Sequence, residues 1–307
     1  VNSQLIEADA AGKRRLIPSL WPDTSTVEFG IRGDLSELKG VPCREEFEAD
    51  PKQMETVKFV DAISLAARET MKRDERVIVI GEDVHRLRGG TAGATKGVSE
   101  LFPERLIGTP ICENGFTGMA IGASLNWLRP VVEIMYPDFV LVAADQLFNQ
   151  AGKVRHMFGG HHAMPLVVRS RVSAGSGYGS QHSMDACGLF AMYPGWRIVV
   201  PSTPYDYIGL FNAAIRCDDP VLIIEYGGLF QTKGLVPKSD FDYIVPFGKA
   251  RLVRPGAACT VLTYGSVILE TMAAVEATGV DAEVIDLRTL DPMGVDWEMI
   301  GESLSRT

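Results

Sequence analysis

Apolar residues in the middle of the chain follow two different periods. Val60, Ile63, Ala67 and Met71 recur at spacings of three and four, which predicts one apolar face of a helix. Residues 76–80 form a short β-branched run closed by a glycine, which is typical of a strand buried on both faces. Similar runs predict further strands at 131–135, 166–170, 197–200 and 221–225.

Two longer patterns between these runs predict helices. The first, at 115–124, carries Gly115, Gly118 and Gly122 on one face, and the second covers 138–157. Since a glycine costs about 1 kcal/mol relative to alanine inside a helix, the glycine face predicts close approach of another helix or of a ligand. Strands that alternate with helices predict an α/β fold with a mostly parallel sheet covered on both faces.

The same patterns divide the chain into three parts. Residues 1–55 lack a sustained period and are dense in charges, prolines and glycines, so we expect an extended or irregular connector there. Residues 56–245 form the α/β domain, and 246–307 begin a second α/β unit. Because two strands and two helices rarely form an independent core, we expect this unit to be truncated here or completed by another chain. Its predicted elements are strands at 260–264 and 283–287 and helices at 266–277 and 297–304.

Composition narrows the class of protein. The chain has 307 residues, 46% of them hydrophobic, which excludes a disordered or fibrous chain. Its net charge of -9, without a basic stripe, argues against nucleic-acid binding. The five cysteines form no C-x-x-C pair, and neither a signal peptide nor a membrane-spanning run is recognisable, so we expect a reduced, cytoplasmic location. The missing initiator methionine suggests a segment of a longer chain.

Acidic residues follow the carboxyl ends of two predicted strands. Open parallel sheets bind ligands at these ends. Glu82 and Asp83 follow the first strand and could bind a cation or activate water, or Asp83 could only hydrogen-bond the backbone of its own turn. Glu113 precedes the glycine-rich helix and could only cap it or balance its dipole. The alternative is a carboxylate held against a ligand that the glycines allow to approach closely.

Aromatic residues and a histidine follow the carboxyl ends of two further predicted strands. Met135, Tyr136 and Phe139 lie at a strand-to-helix junction, where they favour either core packing or an apolar wall for a flat aromatic ligand. His182 ends a Gly/Ser-rich loop at 173–183 and is a candidate for proton transfer, although it could equally be a loop histidine without a role.

Seven motifs together resemble one protein family. They are GEDV at 81–84, PICENGFTGMAIGAS at 110–124, EIMYPDF at 133–139, AADQLFNQAGK at 143–153, GSQHS at 179–183, PGWRIVVPSTP at 194–204 and EVIDLRTLDP at 283–292. From about residue 56 to its end, the chain is similar to the beta subunit of the thiamine-diphosphate-dependent decarboxylating component of 2-oxoacid dehydrogenase complexes. Residues 1–55 are similar to the connector of fused forms, in which an alpha-like half precedes the beta-like half.

The resemblance implies a transketolase-like fold whose pyrimidine-binding domain holds thiamine diphosphate. It implies that Glu113 hydrogen-bonds a ring nitrogen of the aminopyrimidine and shares a proton with it. Phe139 would pack on that ring, with Ile111 and Met135 as neighbouring apolar contacts. Glu82 would be an acid near the cofactor.

Two further sites are implied in the same way. His182 would face the substrate or the incoming lipoyl group and assist proton transfer. A structural potassium ion is known in the family, although Cys217 stands where the family often has an acid. The positions that match the potassium site are Leu166, Ala214, Ile215 and Asp219.

One motif of thiamine enzymes is absent from this sequence. The chain has no Gly-Asp-Gly, the motif that holds magnesium and the diphosphate in such enzymes. We therefore expect an alpha-like subunit or half to bind both, and this chain to be inactive alone. The holoenzyme, a homodimer or heterotetramer, would decarboxylate a 2-oxoacid of the pyruvate or branched-chain type and pass the acyl group to a lipoyl acyltransferase. The alternatives are a transketolase-like, sugar-transferring enzyme and a non-catalytic scaffold of the same fold.

Overall fold

The computed structural model describes residues 6–8, 10–16, 31, 35–87 and 89–307. Its strands are β1 Ile6–Ala8, β2 Arg14–Leu16, β3 Met54–Lys58, β4 Val77–Glu82, β5 Leu106–Thr109, β6 Arg129–Ile134, β7 Val167–Val172, β8 Arg197–Val199, β9 Val221–Tyr226, β10 Lys233–Pro237, β11 Arg251–Arg254, β12 Cys259–Thr263 and β13 Ala282–Asp286. Its α-helices are α1 Phe59–Arg73, α2 Val98–Leu101, α3 Glu113–Leu125, α4 Val154–Met157, α5 Cys187–Ala191, α6 Pro204–Arg216, α7 Val267–Thr278 and α8 Trp297–Arg306.

A six-stranded parallel sheet forms the centre of the molecule. Its strand order is β5-β4-β6-β7-β9-β8, and every pair in it is parallel. The predicted β-branched runs supply β4, β6, β7, β8 and β9, whose inner residues are buried because helices cover a parallel sheet. The predicted α/β fold with a parallel sheet is confirmed.

Helix α6 lies in the core and was not predicted from the sequence. Twelve of its thirteen residues are buried, so it lacks the exposed polar face that is typical of a surface helix. Its start is nevertheless marked in the sequence, because the hydroxyl of Thr203 accepts a hydrogen bond from the backbone N–H of Asp206 at 3.1 Å and Pro204 occupies the first turn.

The prediction of one long helix at 138–157 is wrong. The structure has a 3-10 turn at Pro137–Leu141, a π-helix at Asp145–Ala151 and then α4. The carbonyl of Leu147 accepts from the backbone N–H of Gly152 at 3.0 Å and from the indole N–H of Trp196 at 3.1 Å. This inserted donor from a distant loop favours the wider π turn over a regular helix.

The last unit contains a three-stranded sheet in the order β11-β13-β12, of which β11 was not predicted. One of its contacts with the rest of the chain is made by Arg288, whose side chain is fully buried. The guanidinium donates to the carboxylate of Asp206 on α6 at 2.7 Å and to that of Glu45, ahead of β3, at 2.8 Å. Arg288 therefore joins three parts of the chain through one charged group.

Candidate active site

Glu113 begins helix α3 and turns inward. The residue is 6% exposed, whereas Ile111, two positions earlier, is 75% exposed. Among the hydrogen bonds of the described residues, none reaches the Glu113 carboxylate. The two carboxylate oxygens are not among the fully enclosed polar atoms of the described residues, so a ligand can reach them and supply a donor.

Glu82 lies beside Glu113 at the end of β4. Burial raises the pKa of Glu82, and the negative charges of Asp83 and Glu113 raise it further. Two carboxylates at one edge of the sheet favour a proton shared between one of them and a bound group.

Three aromatic rings surround His182, near the carboxyl ends of β6 and β7. The centroid of His182 lies 4.5 Å from that of Tyr136, 5.3 Å from Phe139 and 5.8 Å from Tyr178. The Nδ1 atom of His182 is buried and has no hydrogen-bond partner among the described residues. The predicted Phe139 and His182 are therefore brought together, with one ring nitrogen of the histidine held away from water.

The other predicted contacts are spread more widely. Met135 lines a small cavity of about 10 Å³ together with Glu133 and Arg169. Within the described ranges, no hydrogen bond, ring contact or electrostatic interaction links Glu113 and Glu82 to Phe139 and His182. The structure thus forms two separate pairs, Glu113 with Glu82 and Phe139 with His182. The side chain of Ile111 points outward, away from the first pair.

A buried ion cluster behind these pairs was not predicted. The guanidinium of Arg169 on β7 donates to Glu225 on β9 at 2.7 Å and to Glu133 on β6, and the hydroxyl of Tyr207 donates to Glu225. Burial alone would lower the pKa of Arg169, but Glu225 and Glu133 raise it well above its usual range. The sequence signal is a charged residue inside each of three buried runs, which form neighbouring strands of the sheet. Glu133 is in register with Arg169, whereas Glu225 lies two positions further along its strand.

The four positions matched to a potassium site also lie close together, at the opposite end of β7. Both carboxylate oxygens of Asp219 accept from arginines, and the carbonyl of Ile215 accepts from a third. Glu37, Cys217 and Asp219 hold their ligand atoms within 4.8 Å of one another. Burial raises the pKa of the Cys217 thiol, which disfavours the thiolate that binds metals.

Known proteins resemble most of the chain. Residues 55–231 match the pyrimidine binding domain of transketolase, and 248–307 match the transketolase C-terminal domain. The beta subunit of acetoin:2,6-dichlorophenolindophenol oxidoreductase from Cupriavidus necator is 41% identical over 80% of this chain and 75% of its own length. The 2-oxoisovalerate dehydrogenase subunit beta from Bacillus subtilis is 41% identical over 83% of this chain and 78% of its own length.

The chain belongs to the beta subunits of the decarboxylating component of 2-oxoacid dehydrogenase complexes. Pyruvate dehydrogenase E1 component subunit beta-2 from Arabidopsis thaliana, a chloroplast protein, is 36% identical over 93% of this chain and 71% of its own length. A split gene transketolase, in an inactive beta4 tetramer, has a TM-score of 0.64 with 20% identity and covers 82% of this chain and 77% of its own. At that identity it supports the fold alone.

Membership of the beta-subunit family confirms the resemblance described from the motifs and the transketolase-like fold. The sugar-transferring and scaffold alternatives are not favoured by the relatives. Within the described ranges, no helix of this beta subunit is long and apolar enough to cross a membrane. The roles assigned to individual residues stay predictions.

Proposed function

We propose that this beta subunit supplies the pyrimidine side of an active site for thiamine-diphosphate-dependent oxidative decarboxylation of a 2-oxoacid. The observation that supports this most is the inward-turned Glu113, whose carboxylate has no donor among the described residues. A ring nitrogen of an aminopyrimidine offers such a donor when protonated. The beta-subunit relatives support the reaction class, since their names include 2-oxoisovalerate and pyruvate dehydrogenases.

Thiamine diphosphate, when bound, supplies the carbanion chemistry, and the protein supplies placement and charge. In our proposal Glu113 holds and exchanges the proton at the pyrimidine, and Glu82 keeps a second acid beside it. Phe139 and Met135 contribute apolar surface to the ring, and the exposed side chain of Ile111 would add an apolar contact at the rim of the site. Magnesium and the diphosphate belong to the alpha-like partner, because this sequence lacks the Gly-Asp-Gly motif.

Exposed apolar residues are consistent with such a partner. Helix α3 and the segments that follow it expose large apolar residues, and a Cβ added at Gly122 would meet nothing within 4 Å. We propose that the alpha-like subunit and a second beta subunit cover this surface in a heterotetramer, and that a lipoyl acyltransferase accepts the acyl group. The exposed residues are Met119, Leu125, Trp127, Leu141 and Val142. We also propose a cytoplasmic location, where the five free cysteines would stay reduced.

The split of the active site between two subunits gives a direct test. We expect the chain alone, with thiamine diphosphate and magnesium, to release no carbon dioxide from pyruvate or 2-oxoisovalerate. Addition of an alpha subunit should produce turnover. Decarboxylation by the chain alone would overturn the split site, and no turnover after an alpha subunit has bound would count against the reaction class.

His182 gives a second test, within the assembled enzyme. Because proton transfer by a positioned side chain contributes about 10²–10⁴-fold, we expect His182→Gln to slow acyl transfer to a lipoyl substrate by at least about 10²-fold. Loss of its ring contacts should cost only about 1 kcal/mol of stability. His161→Gln, at an exposed histidine, is the control. Unchanged lipoyl transfer in His182→Gln would contradict the assignment.

A further inference from the structure

The potassium ion implied by the family would need Asp219, which is fully buried in this chain. Its Oδ1 accepts from Nε of Arg155 at 2.8 Å, and its Oδ2 accepts from Nη2 of Arg197 at 3.2 Å. Both arginines are buried too, with side chains 6% and 3% exposed. The carboxylate that would bind the ion is therefore already paired with two fixed positive charges.

Backbone oxygens around Asp219 are paired with arginines in the same way. The second arm of Arg155 donates from Nη2 to the carbonyl of Asp218 at 2.9 Å. Arg129 donates to the carbonyl of Ile215 at 2.7 Å and to that of Cys217 at 3.0 Å. Ile215 is one of the residues matched to the potassium site, so a second predicted ligand accepts from an arginine.

The charges also disfavour an added cation. An ion bound to Asp219 would lie within a few ångströms of Arg155 and Arg197, where repulsion between like charges is strong in a buried setting. The neighbouring acids already face these arginines, since the carboxylate of Asp218 accepts from Arg129 at 3.0 Å and Asp291 acts on Arg197. Glu37 also reaches the site, and its Oε1 accepts from the backbone N–H of Asp218 at 3.0 Å. Cys217, at the position where the family often has an acid, removes one negative charge that an ion would balance.

We propose that Arg155, supported by Arg197, takes the place of the structural potassium ion in this chain. The fork of Arg155 joins α4 to the 217–219 turn through two donors in a fixed plane, which a guanidinium can do and a single ammonium cannot. The arginine serves as a covalently attached cation, and the fold of this region does not depend on potassium. This inference does not require the proposed reaction.

Salt exchange tests the proposal on the unmodified protein. A ligand that binds only the folded state raises the unfolding temperature, so a bound potassium ion at saturating concentration would give a rise of roughly 5 °C over sodium. We expect the unfolding temperatures in potassium, sodium and choline chloride of equal ionic strength to agree within about 1 °C. A saturable rise with potassium that is lost in Asp219→Asn would overturn the proposal. A rise that persists in Asp219→Leu, which has no side-chain oxygen to bind the ion, arises elsewhere and agrees with it. Asparagine keeps a carbonyl oxygen, so a rise that persists in Asp219→Asn but is lost in Asp219→Leu would also overturn the proposal.

Substitution of the arginine gives an independent test. We expect Arg155→Ala to lower the unfolding temperature by roughly 5–10 °C in every salt, because Asp219 loses its closest charge partner. Arg155→Lys keeps the charge without the fork, and should lose less. Arg76→Ala breaks a more exposed pair with Asp74 and should change the unfolding temperature by less than about 2 °C. An Arg155→Ala variant as stable as the parent would overturn the proposal; if that variant does not fold, the salt comparison decides.

Discussion

Glu113→Gln in the assembled enzyme should lower the turnover number by about 10²–10⁴-fold, because glutamine cannot hold or release the proton that the pyrimidine needs. The stability of the folded protein should not decrease in this variant. The Glu113 carboxylate receives no hydrogen bond from the described residues, so replacing it with an amide of the same size breaks no such contact. We therefore expect the variant to be as stable as the parent.

Two measurements separate these effects. Steady-state turnover with the 2-oxoacid and a lipoyl acceptor gives the catalytic loss, and urea unfolding of the same preparation gives the stability. Glu104→Gln, at an exposed glutamate, is the matched control and should change neither. Near-parental turnover in Glu113→Gln would remove Glu113 from its assigned role.

Arg169→Met should lower the free energy of unfolding by about 3–5 kcal/mol, because it leaves two buried carboxylates without their shared cation. Glu225 is 1% exposed and Glu133 is 7% exposed, so water cannot replace the guanidinium. Addition of Glu133→Gln to this variant should restore part of the loss, since one of the unpaired charges is then removed.

Chemical denaturation of the variants measures these differences. Arg44→Met is the matched control, because Arg44 pairs with Asp240 at the surface, where an ion pair contributes about 0–1 kcal/mol. A loss below about 1 kcal/mol in Arg169→Met would show that the cluster of Arg169, Glu133 and Glu225 does not carry charge in the folded protein.

Local patterns in the sequence were enough to predict most of the sheet. Strands such as β4 and β9 are continuous apolar runs, and their burial on both faces follows from the run itself. Helix α6 was missed because it is buried on nearly all sides, and its polar residues Asp206 and Asn212 are paired inside the protein instead of facing solvent. The π-helix could not be predicted either, since its cause is an indole donor from Trp196, far along the chain.

The candidate site was predictable where a motif carries it, and not where it depends on long-range pairing. Glu113, Phe139 and His182 were found through family motifs, and the structure brings Phe139 and His182 into ring contact. The pairing of Arg155 with Asp219 spans 64 positions, and no local pattern announces it. Which arginine meets which acid is decided by the packing of strands and helices, which a one-dimensional pattern does not contain.

The buried Arg288 has a consequence for how the molecule comes apart. Its guanidinium has carboxylate partners on two other parts of the chain, so the last unit cannot detach without exposing Asp206 and Glu45 as uncompensated charges or drawing water into the core. The boundaries predicted from the sequence suggest that residues 56–245 and 246–307 could unfold one after the other. Arg288 couples these two parts, so we expect loosening of the carboxy-terminal unit to destabilise α6 as well.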